Sequence, residues 1–141
     1  MILERARAAD VLLWAANRQA HGSPLPGVLY KSLLAQVVVS EAVTLRETPD
    51  GDPLLIAGCF DLAPGVAGEI FFLEPPGGLG RKLVPVHRIA CRWLTEVAAT
   101  RPAGLMCHVR VGNGNGQRFV RTLGFLPEGV VCEGFEQWRR P

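Results

Sequence analysis

The chain has 141 residues, 48% hydrophobic and 20% charged, with a formal net charge of +2. That balance excludes a disordered chain and suffices for one domain with a buried core. No apolar run reaches the roughly 20 residues a membrane helix needs, and no membrane partner is expected. The start, Met1 to Arg5, lacks the basic-then-apolar order of a signal peptide, so a cytoplasmic protein is expected. Cys59, Cys91, Cys107 and Cys132 stand singly in apolar segments, without the close pairs of zinc or redox motifs. They are expected as reduced core residues, with no metal site. Residues 1–70 carry five basic and eight acidic groups, residues 71–141 ten and five. An anionic partner therefore suits the second half. Its arginines are scattered and not interleaved with aromatics, so nucleic acid is not expected as a partner.

In chain order, Met1 to Ala8 reads as a strand. Asp10 is placed to cap a helix with Val11, Leu12, Ala15 and Ala16 on its apolar positions. A break over residues 21–27 precedes a second helix with a stripe of Leu29, Leu33, Leu34, Val37 and Val38. Two extended runs, 42–47 and 54–62, flank a turn rich in Pro, Asp and Gly and predict a hairpin. Gly68 to Leu73 is a further strand. Pro85 suits the first turn of a third helix, on which Val86, Ile89, Ala90, Trp93, Leu94 and Val97 recur at three and four. His87 and Arg88 fall on its solvated face. The run from Leu105 to Val111 is a buried-type strand ending at glycine. Phe119, Val120 and Leu123 then fall at helical spacing, and Gly124 stands where a helix stops on a left-handed residue. Phe125 opens another extended run through Cys132. The tail from Glu133 to Pro141 reads as a final strand or a partner contact.

The segment Asn113 to Phe125, N-G-N-G-Q-R-F-V-R-T-L-G-F, lies between two strands, with Asn113 eleven residues before Gly124. It resembles the C-terminal signature of the GCN5-related N-acetyltransferase (GNAT) superfamily. The opening strand and Asp-capped helix are also similar to the way these proteins begin. The resemblance implies an α+β fold over residues 1–141 as a single domain. Its sheet is mixed, mostly antiparallel, with six or seven strands flanked by about four helices. It also implies acetyl-coenzyme A as co-substrate and an amine, small or on a protein, as acceptor.

In the family, an Arg/Gln-x-x-Gly-x-Gly/Ala loop before the third helix brings backbone N–H groups to the cofactor pyrophosphate. The matching stretch begins at Arg81, but Val84 and Val86 occupy the glycine positions and Pro85 removes a donor. The glycines lie upstream, at Gly77, Gly78 and Gly80, which leaves a shifted loop with Arg81 and Lys82 as charge partners, or a plain surface turn. Neither a dinucleotide fingerprint nor a Walker loop is present. Asn113, with Asn115 and Gly116 beside it, is expected to bond the cofactor or to close the turn. Catalysis needs a base for the amine and an acid for the departing thiolate. The family's acid, a tyrosine four residues before Gly124, is replaced by Val120. Glu69 and Glu74 are the base candidates, on opposite faces of their strand, and His108 is a proton relay. Tyr30, the only tyrosine, is placed toward the acceptor side or simply at a helix edge. Two readings stay open: an N-acetyltransferase, and a fold retained without chemistry, of the kind seen among phage-encoded relatives. A homodimer through a sheet edge or the C-terminal strands fits either.

Overall fold

The computed structural model describes residues 1–22 and 27–141; the side chains of residues 27–30 and 39 lie outside the description, so Leu29 and Tyr30 cannot be placed on a face. The elements run β1 (Ile2–Arg5), α1 (Ala8–Ala20), α2 (Gly27–Val39), β2 (Glu41–Arg46), β3 (Leu55–Phe60), β4 (Gly68–Leu73), α3 (Leu83–Ala98), β5 (Leu105–Arg110), α4 (Gly114–Thr122), β6 (Leu126–Cys132) and β7 (Phe135–Arg140). A 3₁₀ turn over Gly80–Lys82 leads straight into α3. The strands form one sheet in the order β1-β2-β3-β4-β5-β7-β6. β4 and β5 pair in parallel, whereas β1–β2, β2–β3, β5–β7 and β6–β7 are antiparallel. The expected mixed sheet and four helices are thus present. None of the helices described is long and apolar enough to cross a membrane.

The chain divides into two compact units, one of Met1–Phe60 with Phe72–Ile89, the other of Asp61–Phe71 with Ala90–Pro141. In the first, Leu45, Leu55 and Val86 form a buried cluster, with Leu54, Phe72, Leu79 and Ile89 packed on it. Beside this apolar core sits a buried cation. The Arg46 guanidinium is 3% exposed and meets the Asp10 carboxylate, the Gly51 carbonyl at 2.9 Å and the Glu4 carboxylate at 3.6 Å. The Thr44 hydroxyl donates a second bond to Asp10, at 2.9 Å. Asp10 therefore does not cap α1 as expected. Arg7 holds the N-cap position, and Asp10, three residues on, accepts the Arg7 N–H at 2.9 Å while turning inward to Arg46. The inward charge outweighs the cap position: an arginine without its carboxylate would be buried unpaired. On α2, Val37 is buried but Val38 is 66% exposed, so the expected stripe is narrower by that residue.

In the second unit, alternation along β5 buries Leu105, Cys107 and Val109 and leaves His108 and Arg110 outward. The tail is a strand, and β7 inserts between β5 and β6. The two-residue turn Glu133–Gly134, both with positive φ, closes the β6–β7 hairpin. Trp138, opposite Cys107, is 1% exposed, and the Arg121 guanidinium lies 5.2 Å from its ring centroid. All four cysteines are free, but only Cys59 and Cys107 are core residues; Cys91 is half-buried and Cys132 exposed, because β6 is the outermost strand and has solvent on both faces. His87 is half-buried, unlike exposed Arg88.

Burial alone would raise the Asp10 carboxyl, but the Arg7 N–H, the Arg46 and Thr44 hydrogen bonds and the Arg46 charge more than offset it and hold it below its ordinary value. A depressed folded-state value stabilises the fold above the unfolded carboxylate value of about 4, and that contribution is lost as pH falls through the folded value. Asp10→Asn is expected to lower the unfolding free energy in urea at pH 7 by about 3–5 kcal/mol. The gap from the parent should narrow below about pH 4.

Candidate functional site

In the first unit, β4 ends at Leu73 and the chain passes through Glu74-Pro75-Pro76-Gly77-Gly78-Leu79 into the turn before α3. The Trp14 indole N–H fixes the start of this loop by donating to the Glu74 carbonyl at 2.7 Å. Gly78 N–H returns to the Pro75 carbonyl at 3.1 Å and closes a tight turn. Gly77, Gly78 and Gly80 have φ of +81°, +81° and +54°, and a Cβ at any of them would meet nothing within 4 Å. These positions need glycine for their backbone, and the loop surface beside them is bare of side chains. Arg81 is exposed, and Lys82 is paired with Glu47 at 2.8 Å on the surface. A bare backbone ahead of a helix N-terminus, with two cations, fits an anionic group such as a pyrophosphate. Val84 is exposed and Val86 is fully buried in the core cluster, so one of the two glycine positions of the motif is filled by a packing residue and the other by a surface valine. Burial pushes the Glu74 carboxyl above the usual range.

In the second unit, Asn113 caps α4, its Oδ1 accepting the Gly116 N–H at 3.0 Å. The expected turn closure is therefore what the carboxamide oxygen does. A Cβ at Gly116 would lie 2.5 Å from Asn113 Nδ2 and 3.2 Å from Val109 Cγ1, so the cap and the missing side chain are one device. Asn115 Oδ1 accepts from the Arg118 guanidinium. Val120 is buried in the face of α4 that packs inward.

The β4–β5 ladder pairs Gly68, Glu69 and Ile70 with Leu105, Met106 and Cys107. Just past its end, His108 Nδ1 lies 2.8 Å from Glu69 Oε1. The two residues, expected as separate candidates, are thus one pair, partly open to solvent at 34% and 21% side-chain exposure. Glu74 belongs to the other unit.

The sequence reading missed the rest of the face that holds this pair. The β5–β7 register sets His108 opposite Gln137, Arg110 opposite Phe135 and Met106 opposite Arg139. Gln137 Nε2 and Arg139 Nε both donate to the Glu128 carboxylate of β6. The Arg110 guanidinium lies 5.5 Å from the Phe135 ring centroid. The signal was the alternation of Phe135, Gln137 and Arg139, which tells of a face only once β7 is known to pair with β5. On the opposite side, burial and then the Glu69 charge push the Cys107 thiol up to about 12, which leaves it inert as a nucleophile.

No family profile and no curated protein sequence matches the chain. Solved structures do match it in shape. A protein of Bordetella pertussis assigned to the GNAT-family acetyltransferases aligns with 99% of this chain and 94% of its own, at 19% identity and a TM-score of 0.71. The spermidine N-acetyltransferase of Vibrio cholerae, as a Phe-to-Ala mutant, aligns over 99% and 94% at 12% identity and a TM-score of 0.68. The ribosomal-protein-S5-alanine acetyltransferase of Vibrio fischeri aligns over 98% and 91% at 14% identity and a TM-score of 0.64. At such identities the likeness is one of fold.

Three outcomes test this local geometry. Asn113→Ala should cost about 1 kcal/mol in thermal or urea unfolding through loss of the cap. Gly116→Ala should cost at least as much, because its methyl displaces the same side chain. With a thiol reagent on the folded protein, Cys132 should react first, and Cys59 and Cys107 only on unfolding.

Proposed function

We propose that this chain, which has the fold of the GCN5-related N-acetyltransferases, transfers an acetyl group from acetyl-coenzyme A to an amine. The observation that carries the reading is the loop before α3, where the left-handed glycines Gly77, Gly78 and Gly80 leave the backbone bare beside Arg81 and Lys82. On this proposal Gly78, Gly80, Arg81 and Lys82 hold the pyrophosphate. Lys82 exchanges its exposed Glu47 partner for phosphate oxygen, an exchange that costs little at the surface. Asn113 keeps its oxygen on the helix cap and offers its amide N–H₂ outward, with Asn115 beside it. The thioester supplies an activated acyl carbon, and the protein supplies position and a proton acceptor, for which Glu69, His108 and Glu74 are the candidates. The acceptors named for the structural neighbours, spermidine and a ribosomal protein alanine, make a polyamine and an alanine-terminated peptide the first amines to try.

A second reading, a fold kept without the chemistry, is favoured by Val86 buried at a motif glycine position and Val120 in place of the acid.

Calorimetric titration with acetyl-coenzyme A separates the two. Micromolar affinity that falls at least tenfold in Asn113→Ala and in an Arg81→Ala, Lys82→Ala double variant supports the transferase. Affinity unchanged in both variants moves the cofactor elsewhere, and no binding at millimolar cofactor favours the non-catalytic reading.

A further inference from the structure

The geometry points to a division of labour within the Glu69–His108 pair: His108 Nε2 takes the amine proton, and Glu69 is the positioning residue that acts through it. The inference rests on the transferase reading and adds which atom does the work. An ionised carboxylate can only accept, so the 2.8 Å contact places a hydrogen on Nδ1 of His108. In the neutral ring the lone pair then resides on Nε2, the nitrogen turned away from Glu69. The same contact occupies Glu69 Oε1, so the carboxylate that resembles the family's base is committed to the imidazole.

The neighbouring strand on the other side carries its own network. Gln137 stands opposite His108 on β7, its amide fixed by Glu128, and Glu128 is fixed in turn by Arg139. The charged groups on this face are Glu69 on β4, Arg110 on β5, Arg139 on β7 and Glu128 on β6; Arg139 is neutralised by Glu128, and Arg110 lies over Phe135. Glu69 is the carboxylate in contact with the ring. An imidazole whose Nδ1 faces a carboxylate at 2.8 Å and whose side chain is 34% exposed has the arrangement a general base requires. As the C–N bond forms, Nε2 accepts the amine proton. As the C–S bond breaks, the same proton passes to the departing sulfur, so the imidazole ends neutral and the products are amide and thiol.

The test combines nitrogen-detected NMR of His108 with thiol release from acetyl-coenzyme A, using an amine found in the screen or, failing one, water as acceptor. The wild-type ring is expected as the Nδ1–H tautomer, and Glu69→Gln should convert a measurable share to Nε2–H. His108→Ala should lower kcat by about 10² to 10⁴, with the KM for acetyl-coenzyme A within twofold, and added imidazole should restore part of the rate. Glu69→Gln should lower kcat by about 10- to 100-fold, and Glu69→Asp should recover part of that loss. If Glu69→Gln abolishes turnover while His108→Ala leaves it within twofold, Glu69 is itself the base and the inference is overturned. A wild-type Nε2–H tautomer overturns it as well, without any assay. Wild-type protein that fails to bind acetyl-coenzyme A overturns the transferase reading first, and the pair's catalytic role with it.

Discussion

A single buried guanidinium sets the terms for the first unit. Arg46 leaves water at the end of β2, and the chain must bring it a counter-charge or forgo the fold. Asp10 supplies the charge from α1, the Gly51 carbonyl supplies a lone pair from the hairpin turn, and Glu4 adds a second carboxylate from β1. These groups come from separate elements, so none can shift without unpairing the arginine. The apolar cluster of Leu45, Leu55 and Val86 is non-directional and tolerates sliding; the charge network does not. It holds α1 in place, and with it the Trp14 indole that pins the start of the glycine loop.

The second unit is organised by strand order. β5 lies between a parallel neighbour, β4, and an antiparallel one, β7. Its outward residues therefore look onto side chains delivered from both directions of the chain. This is how Glu69 and Gln137, 68 positions apart in sequence, come to stand on neighbouring strands either side of His108. The reverse face carries the opposite chemistry. Cys107 and Trp138 are sealed there, and Arg140 donates to the Leu123 carbonyl at 3.1 Å, near the end of α4.

Elements whose signals are local were legible in the sequence. Gly68 to Leu73 was read to the residue, α3 showed its buried stripe at helical spacing, and Asn113 and Gly124 bracket α4 as their chemistry requires. What was not legible is long-range. Asp10 looks like a cap because Asp before an apolar run usually is one; only Arg46, 36 residues on, draws it inward. Cys132 sits among valines and reads as core, yet its strand has a neighbour on one side alone. Glu69 and His108 could be nominated by residue type, but their pairing depends on the register of two parallel strands, which no local pattern encodes.

The insertion of β7 between β5 and β6 decides how the outermost strand is held. Among the described residues β6 pairs with β7 and not with β5, so it is joined to the sheet through its hairpin partner. Its Val130-Val131-Cys132 run is exposed, and the strand carries its own protection: Pro127 withholds a donor, Gly129 has a positive φ, and the ladder is irregular between Pro127 and Val131. Interruptions of this kind make the edge a poor template for a further strand.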